Sequence, residues 1–80
     1  EPSVRLVSAA DKLYNARSLT RDYRHIGEAL WDRFNGGRDG TLWYYRALTE
    51  AFRAAGATPL VDELASCVDE LEQLAAGQIA

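Results

Sequence analysis

Methionine is absent from the 80 residues, and cysteine, histidine and lysine occur once each, as Cys67, His25 and Lys12. With no methionine there is no initiator, so the chain reads as a piece of a longer protein. One cysteine closes no internal disulfide, which excludes the stapled secreted miniprotein and points to a reducing, cytoplasmic compartment. One histidine and one thiol exclude a zinc finger, and any site of paired His or Cys ligands built from this chain alone. No apolar run approaches the roughly 20 residues that span a bilayer, and Glu1-Pro2-Ser3 carries no feature of a signal peptide. Neither observation leaves a role for a membrane. Bases are missing after Arg53: residues 1–53 hold all nine basic residues against seven acids (9 − 7 = +2), whereas the remainder holds five acids and no base. The net charge of −3 is the wrong sign for a nucleic-acid partner.

What is present is an ordinary globular composition, 48% hydrophobic and 26% charged, too apolar for a disordered chain. Eighty residues make one domain at most, with a small core. The spacing predicts an all-α fold, a compact bundle of four helices occupying residues 1–80 as a single helical domain or fragment. The first runs from Val4 to Tyr23, with Ser3 as N-cap. It sets Leu6, Ala9, Leu13 and Ala16 on one face and Val4, Val7 and Tyr14 on nearly the opposite one, as befits a central helix. A short second helix, Glu28 to Phe34, carries Leu30, Trp31 and Phe34 as anchors and ends at Asn35-Gly36-Gly37. The third begins near Asp39 to Thr41 and ends at Gly56, with Tyr45, Leu48, Phe52 and Ala55 as its stripe. The fourth opens on Thr58 and Pro59 and repeats Val61, Leu64, Val68, Leu71 and Ala75, a face expected to pack on the third helix, with an acidic, solvated face behind it.

Few residues suggest chemistry. His25, beside Arg24, reads as a surface or capping histidine, and Cys67 as a half-buried thiol beside an apolar stripe. Residues 35–40, Asn-Gly-Gly-Arg-Asp-Gly, open a helix but lack the P-loop lysine and preceding strand, so they read as a turn rather than a phosphate cradle. Arg17, Arg21 and Arg24, spaced 4 and 3, form a basic stripe that reads as a solvated face. Asp11 is the sharpest residue. It lies between Val7 and Tyr14 on an apolar face, where an ionised carboxylate needs a partner. Two readings stay open: a metal ligand with Asn15 as a substrate-gripping amide one turn on, or a buried ion pair with an arginine.

Leu6-Val7-Ser8-Ala9-Ala10-Asp11-Lys12-Leu13-Tyr14-Asn15-Ala16-Arg17 resembles the last motif of the HD-domain metal-dependent phosphohydrolases, in the branch similar to the guanosine-polyphosphate (alarmone) pyrophosphohydrolases. The likeness extends through Ala29-Leu30-Trp31-Asp32-Arg33-Phe34-Asn35 and Thr41-Leu42-Trp43-Tyr44-Tyr45-Arg46, most of the chain. It implies that this is the C-terminal half of such a domain, with Asp11 as the final aspartate ligand of a divalent metal, manganese or magnesium, and Asn15 and Lys12 as substrate-binding residues for a nucleotide polyphosphate. The family's His and His-Asp ligands have no counterpart here, so the resemblance implies that this chain alone does not hold the metal and is inactive. The alternative is a non-catalytic helical module that self-associates or binds a protein partner.

Overall fold

The computed structural model describes the backbone of residues 2–78 and the side-chain surroundings of residues 8–78. Three α-helices and one 3₁₀ segment follow in order: α1 (Pro2–Ile26), the 3₁₀ connector (Gly27–Arg33), α2 (Gly37–Ala55) and α3 (Pro59–Ala75). Among the described residues there is no strand, and no helix is long and apolar enough to cross a membrane.

The expected second α-helix is therefore corrected to a 3₁₀ connector, for local reasons. It opens at Gly27, whose φ of +63° is left-handed, no side chain caps it, and its seven residues run into extended backbone at Phe34. Two α-helical turns without a cap are marginal, and the tighter winding is used in pieces of this length. Its anchors behave as the sequence suggests, with Leu30 and Trp31 buried and Phe34 packed against the core. The N-terminus of α1 is also earlier than expected: the helix begins at Pro2, so Ser3 lies inside it.

Helix directions follow from the pairs that cross between elements. Arg17 meets Glu63 and Arg24 meets Glu70, both at a sequence offset of 46, and Thr20 meets Cys67 at 47. A constant offset over two turns means that α1 and α3 run parallel. Residues 56–58 join α2 to α3 as an antiparallel pair, with Gly56 at φ +151° closing α2 through bonds to the Phe52 and Arg53 carbonyls. Thr58 caps α3 as expected: its Oγ1 accepts from the Val61 N–H at 3.2 Å, with Pro59 next.

The core corrects which helix is central. Val61, Leu64, Ala65, Val68, Leu71 and Leu74 of α3 are buried, and α3 packs on α2 and still more extensively on α1. α1 and α2 touch each other little. Ala9, Leu13, Ala16 and Thr20, spaced 4, 3 and 4, form the α1 seam, whereas Tyr14, on the second apolar face, is 69% exposed. The side chains of Val4, Leu6 and Val7 lie outside the described residues. On α2 the buried seam is Thr41, Tyr45 and Thr49, with Leu48 and Phe52 half-buried and Ala55 exposed. Threonine enters this core because its hydroxyl is satisfied locally: Thr49 Oγ1 donates to the Tyr45 carbonyl at 2.7 Å, and Thr20 Oγ1 to the Ala16 carbonyl at 2.9 Å.

Candidate functional site

The face of α1 that carries Asp11 points away from α3, because the seam from Ala9 to Thr20 occupies the opposite side. Asp11 is accordingly exposed, its side chain 62% accessible, and its described ion-pair partner is Lys12, Nζ to Oδ2 at 4.0 Å. The buried ion pair with an arginine is thereby corrected: Tyr14 beside it is also exposed, so the carboxylate keeps its water. Asn15 is half-buried one turn further along. Lys12, only 28% accessible, leans toward α2, where its ammonium lies 5.8 Å from the centre of the Tyr44 ring. Tyr44 stands edge-on against Tyr45 with centroids 5.3 Å apart. Burial first, then Tyr44 and Asp11, push the Tyr45 phenol above its ordinary range. Asp11, Lys12 and Asn15 are thus drawn together by helical spacing, and Tyr44 joins them across the bundle.

The basic stripe and the acidic face are largely exposed, as expected, yet two of the stripe's three arginines also pair with carboxylates of α3, while Arg21 pairs with its neighbour Asp22. Arg17 donates to Glu63 at 2.8 Å, Arg24 to Glu70 at 2.7 Å, and Arg46 of α2 to Glu72 and Asp69 on α3. These carboxylates together hold the Arg46 guanidinium well above its ordinary pKa, the Glu72 hydrogen bond contributing most. Such exposed pairs are individually worth little, about 0–1 kcal/mol, and act mainly to fix helix pairing. The same chemistry seats the connector: Arg33 reaches Asp22 at 2.9 Å and lowers its carboxyl pKa.

Glu28 ties the connector to α1 from the other side. Its Oε2 accepts from the Tyr23 hydroxyl and from Trp31 Nε1 at 3.2 Å. The Tyr23 bond first, and the Trp31 bond second, hold Glu28 below its ordinary range, while Glu28 in turn raises Tyr23. A carboxyl whose folded pKa is depressed contributes stability above its unfolded pKa and loses it as pH falls through the folded value. Glu28→Gln is therefore expected to be less stable than the parent at neutral pH, with the gap closing once the pH falls below the glutamate range. Urea denaturation across pH measures this; a gap that stays constant into acid contradicts it.

Other candidates are accounted for. His25 is exposed in the last turn of α1. Cys67 is half-buried, its Sγ 3.7 Å from Thr20 Oγ1, and burial pushes its thiol up, away from reactivity. Asn35 and Gly36 form the turn into α2 and residues 37–40 are already its first helical turn, earlier than the expected start at Asp39 to Thr41, with Gly37 at φ +64° and Gly36 so near Gly40 that an added Cβ would lie 3.2 Å from the Gly40 Cα. A hollow of about 300 Å³ opens beside this turn, lined by Phe34, Asn35, Thr41, Tyr44 and Tyr45. Among the described residues no group of three or more His, Cys, Asp or Glu side chains is placed to hold a metal ion. Asp11 thus offers a carboxylate that is accessible but stands outside any such group. No family model, no curated protein and no solved structure matches the chain.

Proposed function

We propose that this chain is the C-terminal part of a cytoplasmic, HD-type metal-dependent phosphohydrolase acting on a nucleotide polyphosphate such as guanosine tetraphosphate. The observation that carries the proposal is the accessibility of Asp11 on the side of α1 turned away from the bundle, beside Lys12 and one turn before Asn15. A second helical unit bearing the histidine ligands and the general base can approach that side without displacing the core. In this reading Asp11 holds one position of a divalent cation, Asn15 grips the substrate, and Lys12 offsets phosphate charge. The metal, when bound, supplies Lewis-acid polarisation and activation of water. The second reading, a non-catalytic module that self-associates or binds a protein, draws on the exposed Tyr14, Trp43 and Ile26.

Purifying the whole gene product with manganese, alongside the 80-residue chain, tests the proposal. The whole product is expected to carry metal and release pyrophosphate from guanosine tetraphosphate, and the chain alone to do neither. A whole product that takes up no metal overturns the reading. Sedimentation of such a product over a concentration series then measures the self-associating alternative.

A further inference from the structure

Among the described residues, every arginine that crosses between elements donates a hydrogen bond to a carboxylate, whereas Lys12, ion-paired with Asp11 at 4.0 Å, makes no such hydrogen bond. Arg17, Arg24, Arg33 and Arg46 each donate a hydrogen bond to Asp or Glu of another element. The one lysine of the chain instead places its ammonium 5.8 Å from the Tyr44 ring centre, and its contact with Asp11, at 4.0 Å, is longer than a hydrogen bond. The difference matters chemically. A carboxylate neutralises a cation and occupies its donors, whereas an aromatic face attracts the charge and leaves the three N–H donors available to an anion. A free lysine stem also carries about 2 kcal/mol of rotamer entropy, which a ring that fixes the ammonium removes in advance.

Tyr44 is itself held. Its ring stands at 86° to that of Tyr45, and Tyr45 is buried in the core. A continuous path of contacts therefore runs from the core through Tyr45 and Tyr44 to the ammonium of Lys12, next to the Asp11 carboxylate. We infer that Tyr44 is a positioning residue: its ring holds Lys12 ready to receive the phosphoryl oxygens of an anionic ligand beside Asp11. This deepens the phosphohydrolase reading and rests on it for the nature of the ligand.

The single lysine makes the test clean. Reductive methylation with ¹³C formaldehyde labels Lys12 and the terminal amine of the 80-residue chain, leaving each amine its charge and one N–H donor; Lys12→Arg assigns the two signals, and pyrophosphate affinities are compared on unlabelled chains. The Lys12 methyl resonance is expected to be displaced by the Tyr44 ring, to move on titration with millimolar pyrophosphate, and to keep both properties in Tyr44→Phe. In Tyr44→Leu it should fall to its unstructured position, with pyrophosphate binding weakened about two- to fivefold, the weight of a surface cation–π contact. Helicity and melting should not change, since Tyr44 is partly exposed. Three results overturn the inference: a Lys12 signal unmoved in Tyr44→Leu, pyrophosphate affinity unchanged there, or no response of Lys12 to pyrophosphate in the unaltered chain. The measurement uses no metal, so it stands apart from the metal uptake of the whole product, which judges the enzyme reading.

Discussion

Val68→Asp is expected to abolish the cooperative folding of the chain. Val68 is 0% exposed, in the middle of α3, the helix on which both others pack. The substitution removes an apolar side chain from that seam and introduces a carboxylate with no arginine within the core to receive it. An unpaired buried charge costs several kcal/mol even after its pKa adjusts, and the lost apolar packing adds to it. A domain of this size has a total stability of only about 4–12 kcal/mol. The expected loss, more than about 4 kcal/mol, therefore consumes most or all of it. Val68→Ala separates the two contributions: it should remain folded and lose about 2 kcal/mol, because it leaves a cavity and no charge. Circular dichroism during urea titration reads both variants. A Val68→Asp chain that melts with the parent would show that α3 is not the shared wall of the bundle.

How legible this fold is in the sequence varies by helix, and the differences have physical causes. α3 is the most readable, because Thr58 and Pro59 mark its start and Val61, Leu64, Val68 and Leu71 repeat at 3 and 4, although the structure also buries Ala65 and Leu74 and leaves Ala75 half-buried. α1 is less so. Ala9, Leu13 and Ala16 compete with Tyr14 for the inside, and only the position of α3 decides between them. The seam of α2 is hidden for another reason: Thr41 and Thr49 look polar by type, yet a hydroxyl bonded to the carbonyl one turn back can be buried. Charge was legible as segregation but not as pairing. Separating arginines from acids along the chain becomes Arg17 on Glu63 and Arg24 on Glu70 only when α1 and α3 lie parallel at an offset of 46.

The same distinction runs through the candidate site. Asp11, Lys12 and Asn15 are neighbours by helical spacing alone, so a sequence reading finds them together. Tyr44 is 32 residues from Lys12 (44 − 12 = 32), on another helix, and no local pattern connects the two. Glu28 was likewise invisible as a junction, since its partners Tyr23 and Trp31 meet it only after the chain turns at Gly27.

On the proposed phosphohydrolase reading, Asp11→Asn in the whole protein should separate metal binding from stability. The substitution keeps the shape of the side chain and replaces a charged oxygen donor by a neutral amide, a poorer ligand for a hard divalent cation. Changing groups that merely orient a metal's ligands costs about 10- to 100-fold in affinity, so losing a direct ligand should cost at least that, with the hydrolytic rate falling alongside. Stability should not follow. The Asp11 side chain is 62% exposed and its Lys12 contact is long, so the 80-residue chain is expected to lose no more than about 0.5 kcal/mol. Asn15→Ala makes the complementary case: a substrate-gripping amide supplies binding, so its loss should raise KM while metal content stays near the parent value. Metal stoichiometry and melting measured on one Asp11→Asn sample decide the matter. A whole protein that keeps its full metal and rate after this change has its ligand elsewhere, and one that keeps its metal but melts early has Asp11 serving the fold, against the open carboxylate on α1.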